Sequence, residues 1–257
     1  MHQRIIRLAI AAFVFALPFG AAANWEPAEL EKNVAVLIPE QGEVFPLMII
    51  TQGTGEIGRR ERTWAKWFTS QGVAVALVNS GGLRGRKDLS GLDSFFDYSS
   101  DAQEVVNWLG SDPRIDTTRI GIIGFSRGGT MALMSGQRFS DPAPSFVFAF
   151  YPGAQGKCPN TYGSATAVHV FYGDADEWGQ HQGLQKACRT MAENAQNAVY
   201  HELPGAHHGF DQPGSSTFRA ERTNFRKEFN GDALGESRSI IENALRGKWE
   251  LPAPSQP

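Results

Sequence analysis

Ser126 is the first residue whose surroundings suggest chemistry. It lies in the stretch 124–128, Gly-Phe-Ser-Arg-Gly, which matches the pattern Gly-x-Ser-x-Gly. In this pattern a sharp turn from a strand into a helix lifts the serine hydroxyl above a sheet, and the glycines leave room for neighbouring backbone. Residues 119–123 are typical of a strand and residues 130–139 of a helix. The context therefore predicts a nucleophilic serine rather than a helix-capping one.

A histidine and a carboxylate must accompany such a serine. The hydroxyl needs a base to remove its proton, and the base needs an acid that holds its tautomer. Asp174 and Asp176 follow one later strand-like run, and His207 and His208 follow the next. Serine, acid, histidine is the chain order of hydrolases built on a parallel sheet.

More than one residue could serve as the acid and as the base of this triad. Asp176 is three residues past the glycine that ends its strand-like run, far enough for a loop to turn toward the serine. We therefore predict that Asp176 is the acid and that Asp174 fixes the turn through backbone hydrogen bonds, with Glu177 as a third candidate. We predict that His208, which a glycine turn follows, is the base in preference to His207.

The same histidines and aspartates could instead bind a metal ion. No His-x-x-x-His pattern and no set of cysteine ligands accompanies them in the sequence, so we predict no metal site. The sequence also carries no dinucleotide fingerprint and no phosphate-binding loop, so we expect no cofactor.

Acyl transfer also requires hydrogen-bond donors for the oxyanion. The backbone N–H of Arg127, the residue after the serine, is the first predicted donor. The glycine-rich loop 52–55, Gln-Gly-Thr-Gly, is predicted to supply the second, from the N–H of Thr54 with Gly53 as its neighbour. A plain flexible turn is the alternative interpretation of this loop.

Two residues are candidates for substrate binding. Arg84 lies in a small basic loop and could pair with a substrate carboxylate. The alternative for Arg84 is an ion pair with a nearby aspartate such as Asp88 or Asp93. Trp178 follows the acid loop and could line the pocket, or it could simply pack in the core.

Alternating strands and helices are needed to position these groups. Short runs rich in Val, Ile, Leu and Phe recur, many of them apolar at consecutive positions, which is typical of strands covered on both faces. Helix-like stretches such as 60–70 and 101–109 lie between them. The sequence therefore predicts an α/β fold, with a mostly parallel sheet and helices on both faces, in a single domain of residues 24–257.

Composition excludes several classes of protein. The chain has 257 residues, of which 41% are hydrophobic, with 24 Lys+Arg against 27 Asp+Glu and a formal net charge of -3. This composition is that of a globular protein rather than a disordered or fibrous one. Because no concentrated run of positive charge is present, we expect no nucleic-acid partner.

The first residues predict export. Residues 1–23 combine a basic start, an apolar run and small residues, which is the pattern of a secretory signal peptide. The apolar run of about 12 residues is shorter than the ~20 that span a bilayer, and we expect no membrane anchor in the mature protein.

In the periplasm or outside the cell, the pair Cys158 and Cys188 predicts one disulfide, with two buried thiols as the alternative.

Three stretches of the chain resemble the dienelactone hydrolase branch of the α/β-hydrolase superfamily: 124–129 (Gly-Phe-Ser-Arg-Gly-Gly), 172–177 (Tyr-Gly-Asp-Ala-Asp-Glu) and 204–211 (Pro-Gly-Ala-His-His-Gly-Phe-Asp). The resemblance covers about residues 46–211. It implies an α/β-hydrolase fold and a triad of Ser126, Asp176 and His208. The namesake enzymes use cysteine as nucleophile, so serine at position 126 favours serine esterase chemistry.

These features predict an exported serine hydrolase that cleaves a carboxylic ester of a small molecule through an acyl-enzyme. An amidase or peptidase with the same triad is the first alternative. A non-catalytic binding protein on a hydrolase scaffold is the second, although such a protein would be expected to have lost a member of the triad.

Overall fold

A seven-stranded sheet forms the centre of the described chain. The computed structural model describes residues 25–90, 96–139, 141–153, 158–159, 162–163 and 165–251, so the predicted signal peptide lies outside the described residues. In chain order the strands are β1 (Val34–Leu37), β2 (Phe45–Thr51), β3 (Ala74–Val78), β4 (Ile115–Phe125), β5 (Phe146–Phe150), β6 (Ala167–Gly173) and β7 (Ala198–Leu203).

The sheet is mostly parallel. Its strand order is β1-β3-β2-β4-β5-β6-β7. Only β1 runs antiparallel to its neighbour within this sheet, and the other pairings are parallel. In the register of the central strands, Ile50 of β2 pairs with Leu77 of β3 and with Ile123 of β4. The carboxyl ends of β2, β4, β5 and β6 consequently meet at one edge, where α/β proteins gather their functional groups.

Helices cover both faces of this sheet. The described helices are α1 (Pro27–Asn33), α2 (Arg59–Ser70), α3 (Ser80–Leu83), α4 (Phe96–Ser99), α5 (Asp101–Leu109), α6 (Arg127–Arg138), α7 (Glu177–His181), α8 (Leu184–Asn194) and α9 (Gly231–Trp249). On β5, Phe150 contacts Trp64 of α2, whereas Val147 faces α6 at Gly136. Because these two β5 residues are an odd number of positions apart, their side chains point to opposite faces. The predicted single-domain α/β-hydrolase fold is confirmed.

Burial on both faces explains the consecutive apolar runs of the sequence. Every residue of β2, β3 and β5 is buried. A strand that alternated apolar and polar residues would place polar side chains against one layer of helices, at a cost in desolvation.

A hairpin between the last sheet strand and α9 was not predicted. Its strands are β8 (Ser215–Ala220) and β9 (Thr223–Glu228), paired antiparallel. The two residues of its turn have positive φ, 48° at Glu221 and 68° at Arg222, as the twist of a two-residue hairpin requires. At its base the Phe229 N–H donates to the Gly214 carbonyl at 2.9 Å, which closes the hairpin.

The two cysteines are joined. Cys158 and Cys188 form a disulfide with their Cα atoms 5.0 Å apart, which is the pairing the sequence predicts.

Within the described residues, none of the helices combines the length and the hydropathy that a transmembrane span requires.

Candidate active site

Ser126 occupies the turn between β4 and α6. Its backbone has φ 56° and ψ -121°, a conformation that costs a non-glycine residue about 1–3 kcal/mol and persists only where the surroundings enforce it. Here the Ser126 N–H donates to the Phe150 carbonyl at 3.0 Å, and the Ser126 carbonyl accepts from the Gly153 N–H at 3.0 Å. The end of β5 therefore holds the strained turn.

Close backbone contacts explain the glycines around Ser126. A Cβ on Gly124 would lie 2.0 Å from the Gly128 carbonyl oxygen, and a Cβ on Gly128 would lie 2.3 Å from the Gln52 carbonyl oxygen. The turn thus packs directly on the loop after β2. This contact brings the predicted oxyanion loop next to the serine.

His208 connects Ser126 to Asp176. The His208 Nε2 atom lies 3.0 Å from Ser126 Oγ, and the Nδ1 atom lies 3.0 Å from Asp176 Oδ2. Because the carboxylate accepts from Nδ1–H, Nε2 is left to accept the serine hydrogen. Asp176 is fully buried and His208 is 2% exposed, so little water competes for these bonds.

The local fold orients the carboxylate of Asp176. Asp176 is the N-cap of α7, and its Oδ1 accepts from the Gly179 N–H at 2.9 Å. One oxygen therefore holds the helix while the other faces the imidazole. Asp174 serves a different purpose, because its Oδ1 accepts from the Gly205 N–H at 2.6 Å and so ties the two loops together.

The predicted oxyanion donors line one cleft with Ser126. Gly53, Thr54 and Arg127 line the same cleft as Ser126 and His208. The Thr54 carbonyl accepts from the Leu89 N–H at 2.8 Å, which fixes the peptide plane at the centre of the loop. The Arg127 Nε–H donates to Thr54 Oγ1 at 3.4 Å, a long contact across the mouth of the cleft.

The cleft has a volume of about 590 Å³ and is open to solvent. This is large enough for a small organic molecule. The residues that line it are Gly53, Thr54, Gly55, Glu56, Gly58, Arg59, Arg60, Glu61, Ser126, Arg127, Trp178, His208, Gln212, Pro213, Phe218, Arg219, Ala220 and Lys227.

Trp178 lines the cleft beside the nucleophile, which is one of its two predicted positions. Its indole Nε1 and Ser126 Oγ both lie 3.1 Å from the point where a Cβ on Gly153 would stand. Glycine at position 153 therefore keeps free the space between the serine and the indole. A side chain there would crowd both groups.

A buried ionic cluster behind the imidazole was missed by sequence reasoning. Asp211 Oδ2 accepts from the Trp64 Nε1–H at 2.8 Å, and Asp211 Oδ1 accepts from the Tyr151 hydroxyl. The Tyr151 oxygen in turn accepts from Arg60 at 3.3 Å, and Arg60 pairs with Glu61 at 2.5 Å. The Tyr151 ring lies edge-on to the His208 ring, with 4.7 Å between the centroids, so the cluster supports the imidazole from behind.

Burial and charge set the protonation of this cluster. Burial raises the pKa of Asp211, which the Arg60 guanidinium partly opposes. Burial also raises the pKa of Tyr151 well above its ordinary value, which keeps the phenol a neutral donor. Although burial opposes its ionisation, the adjacent Arg60 holds the pKa of Glu61 below its ordinary value.

Arg84 is not brought to the cleft. Its guanidinium pairs with the buried carboxylate of Asp101 at 2.7 Å and lies 4.5 Å from the centre of the Tyr98 ring. Arg84 is also not among the described residues that line the cleft. The ion-pair interpretation holds through Asp101, which was not among the named candidates, whereas Asp93 lies outside the described residues. Arg84 is not part of the candidate site.

Among the described side chains, no group of three or more His, Cys, Asp and Glu residues is arranged to hold a metal ion.

Solved structures share this fold. A dienelactone hydrolase-like promiscuous phosphotriesterase from metagenomic libraries matches with a TM-score of 0.66 and 15% identity, over 83% of this chain and 91% of that one. Est1E from Butyrivibrio proteoclasticus, with ferulic acid bound, matches with a TM-score of 0.60 and 15% identity, over 83% and 94%. Esterase 2 of Thermogutta terrifontis, phosphoramylated by tabun, matches with a TM-score of 0.61 and 15% identity, over 86% and 90%.

Sequence comparison identifies the family. No curated protein matches the chain. The model of the dienelactone hydrolase family matches residues 91–232, which is more than half of the chain and includes the serine turn, the acid loop and the histidine loop. The chain therefore belongs to the dienelactone hydrolase family.

Proposed function

We propose that this protein is a serine esterase that cleaves the carboxylic ester of a small molecule through an acyl-enzyme. One observation carries the proposal. The Ser126 hydroxyl, the His208 imidazole and the Asp176 carboxylate form a continuous chain of hydrogen bonds, with both links at 3.0 Å, on a strained turn at the floor of a cleft. The family match and the esterases of like fold support the same chemistry.

The acylation step follows from the positions of these atoms. Ser126 Oγ attacks the ester carbonyl carbon while His208 Nε2 accepts the hydroxyl proton, and Asp176 stabilises the imidazolium that forms. The carbon–oxygen bond to the alcohol then breaks, and His208 gives its proton to the departing alcohol oxygen. The acyl group remains on Ser126 as an ester.

Deacylation repeats these transfers with water. His208 accepts a proton from water, the resulting hydroxide attacks the acyl carbon, and the proton returns to Ser126 Oγ as the carboxylic acid leaves. In both steps we assign the oxyanion to the backbone N–H groups of Arg127 and Thr54, with Gly53 beside them. Losing one donor of this kind costs about 10²–10³ in kcat.

We propose in addition that the protein is exported and that residues 1–23 are removed. The disulfide between Cys158 and Cys188 supports an oxidising compartment. Intact mass and N-terminal sequence of the protein recovered from its native compartment test this, because export predicts a chain that begins near residue 24. A retained N-terminus would contradict it.

Hydrolysis of a short ester tests the proposed activity. The purified protein should hydrolyse methyl acetate or a similar ester, and Ser126→Ala and His208→Ala should each lose about 10⁴-fold or more in kcat. Thr217→Ala, on an exposed strand position outside the residues that line the cleft, is the control and should keep wild-type turnover. Equal turnover by wild type and Ser126→Ala would show that the serine is not the nucleophile.

A further inference from the structure

The β8–β9 hairpin forms the wall of the cleft next to the base. Phe218, Arg219 and Ala220 of β8 and Lys227 of β9 line the cleft. The centre of the Phe218 ring lies 5.5 Å from the centre of the His208 ring. The hairpin therefore contributes an aromatic ring to the cleft beside the imidazole.

The hairpin is fastened to the body of the protein at both ends. Near its base, Lys227 forms a β-bridge with His208. At its tip, the Glu221 carboxylate lies 3.0 Å from His181 Nε2. Between them the buried Phe225 ring lies against Trp178 at 4.9 Å and against Phe218 at 5.6 Å. These contacts fix where Phe218 lies relative to the base.

The proposed reaction decides which part of a substrate meets this wall. His208 Nε2 must reach both Ser126 Oγ and the oxygen of the departing alcohol, because the same nitrogen passes the proton from one to the other. The oxyanion is assigned to other donors, the N–H groups of Arg127 and Thr54, whereas the ring of Phe218 lies beside the imidazole. The alcohol portion of the ester must therefore lie on the His208 side, against the hairpin.

We propose that Phe218 is a specificity-determining residue that selects the alcohol portion of the ester, an inference that rests on the proposed function. The ring offers an apolar surface to the first carbon atoms of the alcohol. Lys227 Nζ lies 4.9 Å from the centre of the same ring, and Arg219 lines the cleft beside it. The wall favours uncharged apolar alcohols and repels cationic ones.

Two ester series separate the alcohol side from the acyl side. The first keeps the acetyl group and varies the alcohol: methyl acetate, benzyl acetate and 2-(trimethylammonio)ethyl acetate. The second keeps methanol and varies the acyl group: methyl acetate and methyl butanoate. We expect wild-type kcat/KM to be at least about 10-fold higher for benzyl acetate than for the cationic ester.

Variants at Phe218 should change only the first series. In Phe218→Ala, the ratio of kcat/KM for benzyl to methyl acetate should fall about 10-fold, while the ratio for methyl butanoate to methyl acetate should stay within about 2-fold. Phe218→Leu keeps an apolar side chain and should lose less of the preference. Phe229→Ala, at an exposed position outside the residues that line the cleft, should leave both ratios unchanged.

Partial unfolding of a variant does not affect this test. Each ratio of kcat/KM values is measured on one enzyme preparation, so the fraction of folded enzyme cancels. An unchanged benzyl preference in Phe218→Ala, or a change confined to the acyl series, would overturn the inference and leave the esterase proposal standing. Turnover that persists in Ser126→Ala would overturn the esterase proposal itself, and the inference with it.

Discussion

Asp176 and His208 are joined across 32 residues of chain by a hydrogen bond of 3.0 Å between Oδ2 and Nδ1, with both side chains buried. Asp174, two residues earlier, turns its carboxylate away to the Gly205 N–H. Two aspartates of the same loop thus have different partners. Helix α7 accounts for the different orientation of Asp176, because the Gly179 N–H in its first turn donates to Asp176 Oδ1 and leaves Oδ2 for His208.

Substitution of the two aspartates should separate their functions. Asp176→Asn should lower kcat by about 10⁴, because an amide at this position no longer holds the required tautomer of the imidazole. Asp174→Asn should lower kcat by less than about 10-fold, since its side chain still reaches the loop. Steady-state kinetics on one ester measure both, and a larger loss in Asp174→Asn would reverse the assignment.

The glycines of the serine turn should tolerate no side chain. In Gly124→Ala the new Cβ would meet the Gly128 carbonyl oxygen at 2.0 Å and Thr51 Oγ1 at 2.2 Å. The first is backbone, and the Thr51 hydroxyl is held by backbone carbonyls, so neither contact relaxes easily. We expect a loss of at least about 3 kcal/mol in the free energy of unfolding, together with loss of activity.

A glycine in open space provides the matched control. Gly235 lies inside α9, and apart from the adjacent residues and backbone of its own helix no described atom lies within 4 Å of its added Cβ. Gly235→Ala should raise the free energy of unfolding by up to about 1 kcal/mol and leave activity unchanged. Urea denaturation measures both variants, and equal stabilities would contradict the packing described for the turn.

Arg84 should matter for stability and not for substrate binding. Arg84→Met leaves the carboxylate of Asp101, which is 1% exposed, without its guanidinium partner, so we expect a loss of about 3–5 kcal/mol in the free energy of unfolding. KM for neutral and for carboxylate-bearing esters should stay within about 2-fold of wild type in the fraction that remains folded. A selective rise in KM for the carboxylate-bearing esters would restore Arg84 to the site.

Two neighbouring histidines predict how stability depends on pH. His169 Nδ1 and His201 Nε2 lie 3.0 Å apart on β6 and β7, and burial lowers the pKa of each from 6.5 to about 4. The unfolded chain therefore binds protons more readily than the folded one, so stability is lost as the pH falls from about 6.5 to about 4.

Removing one histidine should reduce this acid sensitivity. The decrease in the free energy of unfolding between pH 7 and pH 5 should be smaller in His201→Asn than in wild type, by on the order of 1–2 kcal/mol. Urea denaturation at the two pH values measures the difference. A decrease as large as in wild type would show that the pair does not carry the effect.

The sequence predicts those parts of the fold that depend on local pattern. Consecutive apolar residues mark the buried strands, and the stretch 101–109 is the helix α5 as predicted. The order of the serine, acid and histidine loops follows from the same alternation, because each loop ends a parallel strand at the same edge of the sheet.

Other features depend on contacts between distant segments. Asp211 accepts a hydrogen bond from Trp64, which is 147 residues away in the chain, and no sequence pattern predicts such a pair. The strand β8 is largely exposed, so it lacks the apolar run that identifies a core strand. Arg84 pairs with Asp101 of α5, 17 residues away, and this contact depends on how α5 packs rather than on a local pattern.

Isolation of the acyl-enzyme tests directly whether Ser126 is the nucleophile. The wild-type protein is mixed with an activated acetyl ester, quenched in acid during the first turnover and digested for mass spectrometry. If Ser126 is the nucleophile, one acetyl group is expected on the peptide that contains Ser126, and none in Ser126→Ala. An acetyl group on another residue, or turnover of the ester with no acylated peptide at any quench time, would contradict the assignment of Ser126 as the nucleophile.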